Sequence, residues 1–367
     1  MNCEMLSLRN FKCHANLDLP LNTLTVLTGF NSAGKSSIHQ ALALLAQSDI
    51  VNTRVGSLQL KGTLVDLGVM GDVLNLSTGH DAFQIGLMAD GVNVSWRCSG
   101  DRRQATLKAE TVGVIPAERL DLIMGFVHSL VYLTTSRPPI DQLSSTAREA
   151  SQLKIGSSGE GAVALLYALD QFAVTPTLCI ENVPPTLPRQ VEAWMAQFFP
   201  GLSMDIQPAS GAPSVLTLGL RTSDKGEFHN PANVGFGLLY LLPIVTALLH
   251  TKPGNMLVLE TPEAHIHPAA QSLMGAFLAR VAATGVQLIV ETHSDHLING
   301  IRKAVKEKTI ACDHVLIHFF RGQQDEACTS VSVAIDPNGS LGEWPAGFCD
   351  QYDQDLAQLT GWGSSPG

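Results

Sequence analysis

Apolar and polar positions alternate over Met5-Leu6-Ser7-Leu8-Arg9-Asn10-Phe11, and Leu17, Leu19 and Leu21 repeat the period of two. That pattern predicts half-buried strands at the start of the chain. Leu24-Thr25-Val26-Leu27-Thr28 is a short apolar, β-rich run, and helical spacing takes over from about Ser36 to Gln47. Residues 57 to 113 are turn-rich and β-like, with Leu64-Val65-Asp66-Leu67-Gly68, Phe83-Gln84-Ile85-Gly86-Leu87 and Val92-Asn93-Val94-Ser95-Trp96. From 117 to 200 the spacing of Leu120, Ile123, Phe126, Val127 and Leu130 predicts mainly helix, interrupted by a mobile Ser/Gly loop at Ser144–Gly161. Beyond 226, strands and helices alternate. Met256-Leu257-Val258-Leu259 and Val286-Gln287-Leu288-Ile289-Val290 are apolar throughout, as buried parallel strands are, and a helix is predicted between them from Ala269 to Ala283. Val315–Phe320 and Thr329–Ala334 predict a terminal β pair.

The apolar run Val234–Leu249 contains Pro243 and falls short of the ~20 residues of a membrane span, so it is expected as a buried helix. The chain divides into an N-terminal lobe (1–113), a mainly helical insertion (114–225) and a C-terminal lobe (226–367). At 367 residues that is two domains, or one large α/β domain with an insertion.

Charge narrows the partners. Lys and Arg number 23 against 33 Asp and Glu, a net charge of −10, which argues against a surface built to coat nucleic acid. The basic helix face Ile301-Arg302-Lys303-Ala304-Val305-Lys306-Glu307-Lys308 leaves local DNA contact open, beside the simpler reading of a solvated surface. Met-Asn-Cys-Glu-Met is neither basic nor apolar, and no C-x-x-C pair occurs, so a reducing cytoplasm is expected and no membrane partner.

The chemistry is densest at Gly29-Phe30-Asn31-Ser32-Ala33-Gly34-Lys35-Ser36, which matches G-x-x-x-x-G-K-[ST] between a predicted strand and a predicted helix. In that context the amides of Asn31, Ser32, Ala33, Gly34, Lys35, Ser36 and Ser37 are candidates to cradle phosphates at a helix N-terminus. Lys35 would reach the β/γ-phosphates of ATP or GTP, and the Ser36 hydroxyl would bind Mg2+. Glu260 ends a predicted buried strand, where open α/β sheets bind ligands, and is the candidate Mg2+-binding acid. His293, in Glu291-Thr292-His293-Ser294-Asp295-His296 after the next strand, is a candidate donor to the γ-phosphate. Two rival readings remain for this second half. Its histidines could be structural, or Glu263, His265, His267, His293, Asp295 and His296 could supply a transition-metal site.

Leu8-Arg9-Asn10-Phe11, the phosphate loop, Glu260-Thr261-Pro262-Glu263-Ala264-His265-Ile266-His267-Pro268 and Glu291-Thr292-His293-Ser294-Asp295-His296 together resemble ABC-clan AAA-family ATPases. They are more narrowly similar to the OLD-type and SMC/RecF-like ATPases of bacterial anti-phage defence loci. The tail Asp336-Pro337-Asn338-Gly339 with Trp344-Pro345-Ala346-Gly347-Phe348 resembles the end of a small subgroup.

The resemblance implies an α/β P-loop NTPase of ABC-ATPase type, with a two-lobed mixed sheet, a helical insertion and a C-terminal β pair. It implies a homodimer, or a higher assembly of such dimers, with ATP sandwiched between a phosphate loop and a partner's signature segment. Gly235 and Gly237 in Asn233-Val234-Gly235-Phe236-Gly237 match that place, although both could instead serve tight helix packing. The signature serine is absent, and Thr261 stands where a catalytic glutamate is usual. A threonine is no general base at neutral pH, which leaves Glu263 as the candidate base or makes turnover slow. Gln47 or Gln59 would be the glutamine between the lobes. Arg137 would sense phosphate in trans or form a structural ion pair.

With no nuclease-like acidic constellation after His293, the resemblance points to a sensor or regulatory ATPase that controls a separate nuclease or toxin. A DNA-repair ATPase of the SMC/RecF kind and a non-hydrolysing ATP-dependent scaffold are the alternatives.

Overall fold

The computed structural model describes residues 1–50, 55–113, 115–137, 143–145, 154–223, 226–324, 327–342 and 351–360. The chain opens with β1 (Cys3–Phe11), β2 (His14–Pro20) and β3 (Leu24–Gly29), then α1 (Lys35–Gln47), β4 (Val55–Gln59) and the single turn α2 (Met70–Val73). Strands β5 (Ala82–Ala89), β6 (Val92–Ser99) and β7 (Thr106–Val112) follow. The middle segment holds α3 (Ala117–His128), β8 (Val131–Leu133), β9 (Leu143–Ser145), α4 (Ala162–Ala168), α5 (Leu187–Phe198), β10 (Ser203–Ala209) and β11 (Ala212–Arg221). Then come α6 (Phe236–His250), β12 (Met256–Glu260), α7 (Pro268–Ala282), β13 (Gln287–Glu291), α8 (Asp295–Lys306), β14 (Val315–Gln324), β15 (Ala327–Ala334) and α9 (Gln351–Thr360).

Three sheets result. One is antiparallel in the order β2-β1-β5-β6-β7-β4. The second, β15-β14-β3-β13-β12-β8, is parallel except for its edge strand β15. The third is the small antiparallel β10-β11-β9. The parallel sheet is covered on both faces, which explains its unbroken apolar strands. Side chains alternate across it: Leu257 and Leu259 enter the core formed with α4 to α8, whereas Met256 and Val258 enter the core shared with α1, α3 and the antiparallel sheet.

The segment 114–225, expected as mainly helical, also contributes four strands. One of them, β8, extends the parallel sheet by pairing Val131, Tyr132 and Leu133 with Leu257, Val258 and Leu259. Three residues carry too little periodicity to separate strand from helix. Of the Ser/Gly stretch 144–161, residues 146–153 lie outside the described residues, as does Trp344–Phe348 of the tail motif. Most of the run Val234–Leu249 forms α6, buried from Gly237 to Leu249, and among the described residues no helix is long and apolar enough to cross a membrane.

Candidate functional site

Three neighbouring parallel strands deliver the chemistry to one end of the sheet. β3 runs into the phosphate loop, while β13 and β12 end on Glu291 and Glu260, which pair directly across the two strands. The loop needs its glycines. Gly29 has φ +120, and a Cβ there would lie 2.1 Å from the Phe320 carbonyl oxygen. Gly34 caps α1 at φ +95, where a Cβ would meet the Cys13 sulfur at 2.6 Å. A pocket of about 370 Å³ opens here, lined by Asn31, Ser32, Ala33, Gly34, Lys35, Ser36 and Ser37, with Lys12, Cys13, Gln40 and Glu291.

Lys35 is buried, and its ammonium donates to the Gly29 and Phe30 carbonyl oxygens at 3.2 and 2.8 Å. Burial lowers its pKa, opposed by Glu291, whose Oε1 lies 3.8 Å away. The same Glu291 oxygen is 3.8 Å from His293 Nε2. The half-exposed His293 ring is pushed down in pKa by burial and then by the charge of Lys35, against the opposing pull of Glu291, and the net shift favours its neutral form.

His39 lies one turn beyond Lys35 on α1, on the same helix face. It is fully buried, and its Nδ1 stands 3.4 Å from both Glu260 Oε1 and Glu291 Oε2.

Glu260 is held from several directions. The Tyr132 hydroxyl donates to Oε1 at 2.5 Å, while the Thr135 amide and hydroxyl donate to Oε2 at 2.9 and 3.1 Å. Burial raises this carboxyl, but the hydrogen bonds from His39, Tyr132 and Thr135 outweigh burial and hold it at about 2. Arg137, buried over the Tyr240 ring at 3.9 Å, donates to the Glu260 carbonyl oxygen at 3.0 Å. It forms a scaffold contact to the strand end, and its Nε and Nη1 have no hydrogen-bond partner.

Thr261 adopts φ +42, an outlying conformation for a β-branched residue. Its amide donates to the Glu291 carbonyl oxygen at 2.8 Å, and the Tyr240 hydroxyl lies 3.2 Å from its carbonyl oxygen. Glu263 is buried and does not line the pocket. Its Oε1 accepts the His293 amide at 2.9 Å, its Oε2 lacks a hydrogen-bond partner, and burial raises its pKa.

Lys35, Glu260 and His293 therefore gather around Glu291, which the sequence reading quoted without assigning a role. Tyr132 and Thr135 had no local signal at all, and His39 had only a weak one. The spacing Lys35 to His39, one helical turn, is the one pointer a sequence carries. The two glycines of α6 differ. A Cβ on Gly237 would lie 2.3 Å from the His265 carbonyl oxygen, so this glycine packs the helix on its own chain. Gly235, the exposed N-cap, has open space around it.

Neither glutamine offered for the lobe junction lines the pocket. The Gln47 amide is used up on Gln59, Leu64 and Val65 backbone, and Gln59 accepts from Thr106 at 2.8 Å. His267 caps α7 through Nδ1, and His265 sits edge-on to Phe236 and Tyr240, so these two histidines are structural.

Parts of the chain match known protein families. Residues 1–84 match a family described as an AAA ATPase domain, and residues 176–299 match one described as "AAA domain, putative AbiEii toxin, Type IV TA system". Residues 310–359 match a family described as a protein of unknown function, DUF3696. No curated protein matches the chain.

Among solved structures, an Smc head bound to the C-winged helix domain of ScpA is similar at TM-score 0.54 and 16% identity, covering 92% of this chain and 98% of that one. The Smc head domain with an extended coiled coil bound to the C-terminal domain of ScpA, from Pyrococcus furiosus, gives TM-score 0.52 and 13% identity over 98% and 99% of the two chains. The fold is that of a P-loop NTPase of the ABC-ATPase kind, and two of the three matching families are described as AAA domains.

Proposed function

We propose that this chain binds Mg-ATP in the pocket around Lys35, hydrolyses it slowly, and serves as the sensor or regulatory subunit of an anti-phage defence complex that controls a separate nuclease or toxin. The observation that carries the ATP part is the convergence of Lys35, Glu291, His39, Glu260 and His293 at the carboxyl ends of three adjacent parallel strands. The defence part rests on the motif resemblance, supported by the Type IV TA system description of one matching family.

In this reading the amides from Asn31 to Ser37 bind the triphosphate, and Lys35 leaves its two loop carbonyls for β/γ-oxygens. Bound Mg2+ would neutralise phosphate charge, with Ser36 and Glu260 as its protein ligands. Ser36 is exposed in the pocket and the Glu260 carboxylate is ionised, so the donor chemistry fits. The neutral His293 ring can hydrogen-bond a γ-phosphate. Glu263, with a raised pKa and an oxygen without a partner, is the base that this chain offers in place of Thr261. Gly235, open at the N-terminus of α6, would face the phosphates bound by a second copy.

A second reading, an ATP-dependent scaffold without turnover, is favoured by Thr261 and by the bond that ties Glu263 to the His293 amide. Turnover measured with and without DNA separates the readings. Nucleic-acid-independent hydrolysis supports the sensor, DNA-stimulated hydrolysis supports a repair ATPase, and tight binding without turnover supports the scaffold. An absence of ATP binding would reject all three.

A further inference from the structure

Behind the phosphate loop, three side chains from distant stretches aim at one point. Nδ1 of His39 on α1 and one carboxylate oxygen each from Glu260 and Glu291 all lie within 4.8 Å of one another. We propose that His39, Glu260 and Glu291 form a site for a divalent transition-metal ion, one that takes Mn2+ in preference to Mg2+.

The cluster is built but loosely closed. Its two internal contacts are 3.4 Å each, longer than good hydrogen bonds. Glu291 is 8% exposed, yet its Oε2, the oxygen turned to His39, has no hydrogen-bond partner. Native interiors rarely leave a buried carboxylate oxygen so, because desolvating it without a donor is costly. A cation among the three atoms would satisfy it.

The remaining bonds of Glu260, from Tyr132 and Thr135, come from outside the cluster. They orient its carboxylate without filling the space, as outer partners of metal ligands do. Lys35 is the competing cation, 3.8 Å from the other Glu291 oxygen, but its ammonium is held by the Gly29 and Phe30 carbonyls.

Ligand type sets the metal. Mg2+ takes oxygen ligands and keeps much of its water, whereas an imidazole nitrogen favours first-row transition ions. Two carboxylates beside that nitrogen suit Mn2+, which also accepts oxygen donors. Ser36 and Glu260 alone would leave the site an all-oxygen Mg2+ site; His39 and Glu291 are what change it. The inference rests on the ATP reading only for what lies next to the ion, since the three ligands are in place without nucleotide.

The test uses the full-length protein stripped of nucleotide, titrated with Mn2+ and followed by the electron-spin-resonance signal of free Mn2+. One Mn2+ should bind per chain, with Mg2+ displacing it only at ~100-fold higher concentration. His39→Gln should remove that preference, bringing the two ions within ~3-fold, and Glu291→Gln should weaken both ions at least ~10-fold.

Should either variant fail to fold, thermal unfolding of the wild type decides. Mn2+ should raise Tm at concentrations where Mg2+ does not. Equal displacement by equimolar Mg2+, or full Mn2+ binding by folded Glu291→Gln, would overturn the site. A fluorescent ATP analogue, titrated in chelator, tests the nucleotide pocket separately, so loss of one kind of binding leaves the other standing.

Discussion

At the scale of single residues, Lys35 is the side chain on which the proposed nucleotide binding turns. It is a buried ammonium whose partners are two neutral carbonyl oxygens and a carboxylate 3.8 Å away, an arrangement that a phosphate improves on. Charge-assisted hydrogen bonds are worth ~1.5–3 kcal/mol each, so Lys35→Ala should weaken ATP at least ~100-fold by calorimetry. Affinity within threefold of wild type would remove the pocket from consideration. Glu263→Gln keeps the carbonyl oxygen that can accept the His293 amide but cannot take a proton, so turnover should fall while ATP stays bound. Unchanged turnover would exclude Glu263 as base.

Glu260 makes a pH prediction. It is held at about 2 against an ordinary 4.5, so its ionised form stabilises the fold above pH 4.5 and that contribution fades as pH falls towards 2. The shift corresponds to about 3 kcal/mol. The denaturant stability of wild type should therefore drop faster than that of Glu260→Gln over this window. Parallel curves would mean that the carboxylate is not held as the structure has it.

At the scale of elements, α6 approaches the turn after β12 so closely that Gly237 admits no side chain. Gly237→Ala would force its Cβ to 2.3 Å from the His265 carbonyl oxygen, and a shift of helix or turn should cost ~1–3 kcal/mol, visible as a lower Tm. An unchanged Tm would mean that the helix is not seated there.

This contact also marks where the sequence stops speaking. The phosphate loop was legible because its strand, glycines, lysine and helix are consecutive, and Glu260 because it ends an apolar strand. Glu291 stood in plain view, but its role depends on Lys35 and His39, over 250 residues away, and no local pattern carries such a distance. Tyr132 and Thr135 were hidden for the same reason, one in a three-residue strand too short to declare its period and the other in the bend just after it. For Gly237 the sequence left a signature role and tight helix packing side by side, because it shows that space is needed but not which backbone fills it.

At the scale of the whole molecule, the glycine in α6 and the one that caps it differ in what surrounds them. Gly237 is committed to its own chain, whereas Gly235 caps the helix in open space, with Phe236 beside it 42% exposed. If α6 offers its N-terminus to the phosphates of a second copy, a Cβ at position 235 should leave the monomer intact and disturb only the nucleotide-bound pair. Gly235→Ala should then keep its Tm within ~0.5 kcal/mol equivalent, since surface changes away from contacts cost little. Solution mass in Mg-ATP should nonetheless shift from dimer towards monomer, as it should for Lys35→Ala, which cannot hold the bridging ligand. The two variants part at the level of binding: Gly235→Ala should still take up ATP as a monomer, and Lys35→Ala should not. A wild-type chain that stays monomeric at saturating Mg-ATP would break the link between this helix and assembly, leaving Gly235 no more than an exposed cap.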